Sequence, residues 1–376
     1  MEFQISVLEF TKCLNLMQGI IKRKNTLPIL ANLLIEAISV NQQHITVRAT
    51  DLDISLELKQ SCNIIKTGKV TAPAKILLDI VKTLPGPNMV LKLQHNSKLQ
   101  IKSSRTLVFL NSISADEYPK FPMFDNVKFH KLQKIDFASA IQKTLYSVSV
   151  DDSRNNLKGV YIKSNKEKIN SLSFVSTDGH RLSKIDKVFN KCNFKEFHSV
   201  ILSRKSLSEL LRLLATSSFI KNNLFYLGFV KTQAIAKMDD STLIMKLIDA
   251  KFPDYTQVIP QLSDKILRTS KKDLLTSLKR VSVLTTHKNQ SLTLSITSEE
   301  LFLSCNNPEL GVLSDCVSIM YVGEIFKIKL NARYIIEALS SLDEANIMFK
   351  FTDSLSPILI TGVSNEKHKC IIMPMR

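Results

Sequence analysis

Lys75-Ile76-Leu77-Leu78-Asp79-Ile80-Val81-Lys82-Thr83-Leu84 has a counterpart in Lys205-Ser206-Leu207-Ser208-Glu209-Leu210-Leu211-Arg212-Leu213-Leu214. A second counterpart is Arg333-Tyr334-Ile335-Ile336-Glu337-Ala338-Leu339-Ser340-Ser341-Leu342. Each opens on a cation, carries an acid four residues later and closes on leucine. The copies lie 130 and 128 residues apart in a chain of 376. One third of that length is about 125 residues, so the repeat fills the molecule and sets its architecture. Three similar units follow, with expected boundaries at 1–124, 125–253 and 254–376.

Outward from these segments the pattern repeats again. Phe10, Leu14 and Met17, then Phe137, Ile141 and Leu145, then Leu274, Leu278 and Val281 recur at spacings of three and four. Each set marks one buried helical stripe, so each unit carries two helices. Lys12, Lys143 and Lys279 stay off these stripes, as do Lys75, Lys205 and Arg333 in the second set. The acid four residues after each second-set cation can pair with it, for about 0.2–0.5 kcal/mol.

Between the helices the texture becomes short, alternating and β-branched. Examples are His44–Ala49, Leu172–Ser176 and Leu292–Ile296, which predict strands. A turn signal sits at a matching place in each unit: Thr50-Asp51, Thr177-Asp178-Gly179 and Asn306-Asn307-Pro308. Further strands are expected at Ile347–Phe351 and Ile358–Thr361. The fold class is therefore α+β, with two helices against antiparallel sheet in each unit. Tyr118-Pro119-Lys120-Phe121-Pro122 and Phe252-Pro253-Asp254-Tyr255 mark the junctions. Equal units without long linkers suggest an arc, which closes most simply against a second copy.

The bulk composition narrows function. The apolar fraction of 44% and charged fraction of 23% are those of a globular protein, and no apolar run has the length of a membrane helix. Met1-Glu2-Phe3-Gln4 lacks the layout of a secretory signal, and the six scattered cysteines form no Cys-x-x-Cys pair. A cytoplasmic protein with reduced thiols, no metal and no cofactor is expected. The net charge of +17 points to a polyanion, with a Lys-, Asn- and Ile-rich composition as the plainer source of the excess.

Individual motifs leave alternatives open. Thr177-Asp178-Gly179-His180-Arg181-Leu182 reads as a β-turn or as a loop that presents His180 and Arg181 to a partner. A hydrolase built on Asp178 and His180 is the enzymatic rival, with no serine or cysteine nucleophile indicated nearby. Cys370-Ile371-Ile372-Met373-Pro374-Met375-Arg376 reads as an edge strand, or as an adaptable apolar surface built on methionine. Lys22-Arg23-Lys24 reads as a solvated loop or as a phosphate contact. Arg204-Lys205 opens a helix, where the dipole disfavours cations, and a polyanion supplies the reason. A basic DNA-binding structural protein that closes no ring is the other rival. Glycine-rich phosphate loops and zinc-protease motifs are absent, and the absence of tryptophan with sparse aromatics argues against base-stacking platforms for single strands.

Five strings together carry a resemblance over the whole chain. They are Asn25-Thr26-Leu27-Pro28-Ile29-Leu30-Ala31-Asn32-Leu33-Leu34, Ala49-Thr50-Asp51-Leu52-Asp53, Ser176–Leu182, Phe252-Pro253-Asp254-Tyr255 and Met373-Pro374-Met375-Arg376. In order on a three-unit chain, they resemble the bacterial DNA polymerase III beta subunits, the sliding clamps. The resemblance implies a non-catalytic processivity factor. Two head-to-tail subunits would close a pseudo-sixfold ring of clamp domains around duplex DNA without regard to sequence. Its implied partners are the polymerase III alpha subunit, the clamp loader, and translesion, mismatch-repair and ligase proteins that share a docking peptide. The implied peptide pocket is Leu157, Thr177, Gly179, His180, Arg181 and Leu182 with Pro253, Val258, Asn331, Tyr334, Leu355, Ile371, Met373, Pro374, Met375 and Arg376. Lys24, Arg154, Arg204 and Lys205 would face DNA, and Val108 would meet Val283 and Leu284 of the second subunit. The chain departs from the family pattern at Gln257, Asn289, Pro357 and Val108.

Overall fold

The computed structural model describes residues 1–21, 27–39, 43–95, 97–124, 126–151, 153–165, 168–190, 192–216, 223–260, 263–286 and 290–375. Its chain forms two compact units, residues 1–134 with 205–247 and residues 135–204 with 248–376. The threefold repeat and this twofold division intersect, because the middle repeat gives four strands to each unit.

Among the described residues, six α-helices stand where the apolar stripes place them: α1 (Val7–Met17), α2 (Ala74–Lys82), α3 (Lys134–Leu145), α4 (Arg204–Ala215), α5 (Lys271–Val281) and α6 (Ala332–Ser341). Their starts are written locally. Ser6 accepts the Glu9 amide and Ser270 the Asp273 amide, an acid three residues after each cap. Asn331 caps α6 by accepting from Arg333 and Tyr334. The stripe residues Phe10, Leu14 and Met17 of α1, and Leu274, Leu278 and Val281 of α5, are buried. Each such side chain contributes about 1.5–3 kcal/mol by leaving water.

The first unit holds two antiparallel sheets. One runs Asn63–Lys66, Glu2–Ser6, Asn88–Leu93, Lys98–Ser103, Thr106–Asn111. The other has eight strands: Phe129–Gln133, Leu224–Val230, Gln233–Met238, Ser241–Lys246, Ile54–Ser61, His44–Thr50, Asn32–Ile38, Gly68–Pro73. In the second unit a nine-stranded sheet runs Ser199–Ser203, Gly159–Ser164, Ser171–Thr177, Arg181–Val188, His368–Ile372, Ile358–Gly362, Asn346–Phe351, Lys265–Ser270, Met320–Val322. A four-stranded sheet runs Gly311–Ser318, Glu300–Asn307, Ser291–Ile296, Phe326–Asn331.

One expected correspondence shifts by a strand. The strands that run into the matched turns are His44–Thr50, Ser171–Thr177 and Glu300–Asn307. Leu292–Ile296 lies one strand earlier, in Ser291–Ile296. Neighbouring alternating strands look alike in sequence, so only the turn marks which is which.

In the nine-stranded sheet both faces are covered, and the two-residue period sorts the side chains. Ile358, Ile360, Cys370 and Ile372 join the main core with α5 and α6. Leu359 and Ile371, the residues between them, join Leu157, Val175, Leu182, Ile201 and Phe252 in a smaller cluster on the other face. That second face carries the candidate site.

Candidate functional site

Thr177-Asp178-Gly179-His180-Arg181 joins two central strands of that sheet as an Asx turn. Asp178 Oδ1 accepts the backbone N–H groups of His180 and Arg181 at 2.9 and 3.1 Å. Thr177 Oγ1 accepts from Gly179 N at 3.1 Å and donates to Arg181 O at 2.6 Å. Gly179 has φ +91°, the left-handed region that favours glycine. A Cβ there would come within 2.7 Å of Arg154 Nη1.

Arg181 anchors the turn. Its side chain is buried, and Nε lies 2.9 Å from Asp178 Oδ2 while Nη1 pairs with Glu337 of α6. Nη2 donates to Tyr146 O at 2.7 Å, and the guanidinium stacks 4.4 Å from the Tyr334 ring centroid. Burial pushes the Glu337 carboxyl up, but hydrogen bonds from Arg181 and Arg333 outweigh it and hold the group below its ordinary value. A buried guanidinium of this kind is tolerated because each of its three nitrogens finds an acceptor, two of them carboxylates. It ties the turn to α6 and to the end of α3.

These fixed parts leave a groove of about 340 Å³ on the sheet face. Leu157, Leu182, Val258, Ile371 and Met373 make it apolar, with Pro253 and Tyr255 as one wall and Thr177, Gly179 and Arg154 as another. Tyr161 and Phe252 stack beneath the wall at 4.8 Å, with Tyr255 edge-on to both. Met373 N donates to His180 O at 2.8 Å, so the tail is laid along the turn by its backbone. A concave apolar trough with a few polar groups at its rim suits an apolar ligand and performs no chemistry by itself.

The residues expected here divide. Leu157, Thr177, Gly179, Arg181, Leu182, Pro253, Val258, Ile371 and Met373 line the groove. His180 and Tyr334 instead line an adjacent polar depression of about 380 Å³. The side chain of Asn331 caps α6 and bonds Gln290, so it serves the helix rather than the groove. Leu355 stands 74% exposed outside it, and Met375 is tied to Lys329 O through its backbone. Pro374 is half-buried and does not line the groove, and Arg376 lies outside the described residues. Sequence reading missed Arg154, Asn156, Asp254 and Tyr255 as lining residues, Arg154 having been read as facing DNA, although Asp254 and Tyr255 belong to the Pro-marked junction string. At the departure Gln257, the amide reaches Asp254 at 3.2 Å.

The geometry lends the hydrolase reading no support. Both Asp178 oxygens are committed to the turn and to Arg181, and His180 is exposed with no described hydrogen bond to its ring.

Of the cations read as facing DNA, Arg154 and Arg204 are exposed and both line the polar depression. Lys205, in the first unit, pairs with Asp51, whose side chain is 1% exposed. Burial pushes Asp51 up, but hydrogen bonds from Lys205 and from the Ile54 and Asp53 amides hold it below its ordinary value. The ammonium is therefore shared with an internal carboxylate. Lys24 and Asn289 lie outside the described residues. Of the residues read as a subunit contact, Val108 lies on the edge strand Thr106–Asn111, Val283 is 72% exposed and Leu284 packs partly on the core.

Family models of the DNA polymerase III beta subunit match almost the whole chain. The N-terminal domain matches residues 1–122, the central domain residues 131–254 and the C-terminal domain residues 256–376. The chain belongs to the DNA polymerase III beta subunit family. The beta sliding clamp of Pseudomonas putida is 28% identical over 380 residues, covering 100% of both chains. That of Haemophilus influenzae is 28% identical over 377 residues, again covering 100% of both. Among solved structures, the sliding clamp of Bartonella birtlesii bound to griselimycin superposes with a TM-score of 0.93 at 29% identity, covering 100% of this chain and 99% of that one. The Bacillus subtilis sliding clamp gives 0.93 at 26% identity, with the same coverage. The family's members are processivity factors of DNA replication rather than catalysts. No described helix is long and apolar enough to cross a membrane.

Proposed function

We propose that two copies of this chain close head to tail around duplex DNA in the cytoplasm, and that the groove receives a short apolar peptide of the polymerase or of another replication or repair protein. The observation that carries the docking half is the groove floor of Leu157, Leu182, Val258, Ile371 and Met373 beside an exposed, rigid turn. The related clamp with griselimycin bound supports the same use here. The pocket is read as the nine expected residues that line the groove, with His180 and Tyr334 at its polar margin.

Two sheet edges support the ring. Thr106–Asn111 ends the five-stranded sheet with Leu107 and Phe109 half-exposed, and Gly311–Ser318 ends the four-stranded sheet with Val312 exposed. Different free edges are what a head-to-tail interface joins, and leaving them bare invites uncontrolled pairing. Val108 lies on the first edge and Val283 and Leu284 follow α5 in the second unit. DNA within the ring is held by topology, so Lys24, Arg154, Arg204 and Lys205 need only weak, sequence-blind phosphate contacts. A tether of this kind raises the polymerase's effective concentration without chemistry.

Sedimentation and DNA retention test the ring together. After loading, a species of two-subunit mass stays on circular duplex and slides off linear duplex. A one-subunit species at micromolar concentration, or equal retention on both forms, overturns closure.

A further inference from the structure

Beside the groove, on the same sheet face, a second depression of about 500 Å³ opens, and Tyr255 walls both. Lys184, Lys350 and Lys369 line it. Lys184 Nζ lies 2.7 Å from Asp186 Oδ2, and Lys350 Nζ lies 3.0 Å from each oxygen of Glu366. The other Asp186 oxygen accepts the Ser173 hydroxyl. Both carboxylates are thus committed. Lys369 makes no ion pair with any described residue, and it stands directly opposite Lys184 across the paired strands Arg181–Val188 and His368–Ile372. Like charges facing one another on neighbouring strands are unfavourable. Asp186 offsets the Lys184 charge, whereas no described ion pair offsets that of Lys369, which leaves a cation for an anionic partner to meet.

We propose that this depression receives acidic residues flanking the peptide held in the groove, with Lys369 as the main contact and Lys184 and Lys350 beside it. The proposal rests on the groove being a peptide-docking site and adds the chemistry by which partners are told apart. The groove reads an apolar core, and a segment leaving it over Tyr255 has its charge read next. Three cations against two committed carboxylates favour an acidic flank and repel a basic one, which gives discrimination by attraction and by exclusion.

The test uses fluorescence anisotropy on the full chain with two labelled peptides. They share one leucine–phenylalanine core and carry either two aspartates or two asparagines on each side. The acidic peptide is expected to bind about three- to tenfold more tightly at low salt. That advantage shrinks at high salt and disappears in Lys369→Gln, while the asparagine peptide binds the variant as it binds the parent. Equal affinity of the two peptides for the parent, or an advantage that survives Lys369→Gln, overturns the proposal. Failure of both peptides to bind, with griselimycin also inert, instead removes the docking reading on which it rests.

Discussion

Thr50-Asp51-Leu52-Asp53-Ile54 in the first unit and Thr177-Asp178-Gly179-His180-Arg181 in the second share one turn, bond for bond. Asp51 Oδ1 accepts from Asp53 N and Ile54 N at 3.1 and 2.8 Å, and Thr50 Oγ1 accepts from Leu52 N at 3.1 Å. Those bonds match the ones in the second turn. The strand that follows alongside is pinned alike: Lys246 N donates to Asp53 O, and Met373 N to His180 O, both at 2.8 Å. The side chains diverge. Lys246 Nζ lies 3.6 Å from Asp53 Oδ1, a charged closure, where the second unit has the thioether of Met373. Leu52 holds φ 75° where the second turn has glycine, and Ile54 stands where Arg181 reaches out to α6. The backbone of the turn is common stock, and Gly179, Arg181 and Met373 set apart the copy at which we propose docking.

The largest effect separates the two anchors. Arg181→Ala leaves Asp178 and Glu337 facing a buried gap and is expected to cost about 3–5 kcal/mol in urea unfolding. Lys205→Ala leaves Asp51 with its backbone donors and a half-exposed opening, and is expected to cost about 1–2 kcal/mol. Equal losses would mean that the two turns are anchored alike.

Acid should part the two regions next. Burial, with Lys143 nearby, pushes His368 in the second unit down to about 4, below its ordinary 6.5. The unfolded chain binds the proton more readily, so the stability is present above pH 6.5 and drains as pH falls toward about 4, by about 3 kcal/mol in all. Asp51 in the first unit is held below its ordinary 3.8, so its contribution persists until pH falls below that value. Hydrogen exchange near about pH 5 should therefore expose amides of His368–Ile372 before those of His44–Thr50. Equal loss in both strands, or an unchanged acid slope in His368→Gln, contradicts this.

The smallest effect concerns the left-handed position. Leu52→Gly should stabilise the first turn by up to about 1 kcal/mol, since Leu52 is mostly exposed and strained, while Gly179→Leu should destabilise the second by about 1–2 kcal/mol. Paired melting curves check the signs. A Gly179→Leu variant as stable as the parent would show that the two turns differ in backbone after all.

Much of this was legible because its signals are local. Helical stripes and the Asp-Gly turn signal each depend on residues within four positions. The Asn331 cap was written directly before Ala332, yet the family resemblance drew Asn331 to the pocket. The division between groove and polar depression was not legible, since the sequence does not say on which side of the turn Arg181 sends its guanidinium. Lys205 was read as facing DNA, with Glu209 within reach, whereas the structure pairs it with Asp51, 154 positions away, and pairs Glu209 with Arg212. The Lys184–Lys369 pairing was invisible for the same reason: it exists only once the last strand adds beside Arg181–Val188.

The most direct measurement is a calorimetric titration of griselimycin into the parent and into Met373→Lys, which gives the second turn the residue the first one has. Met373 is 37% exposed, so the substitution should leave the unfolding midpoint unchanged. The grafted-groove account predicts at least about a tenfold loss of affinity, from a charge buried in an apolar trough. Undiminished binding in a folded Met373→Lys protein would contradict it.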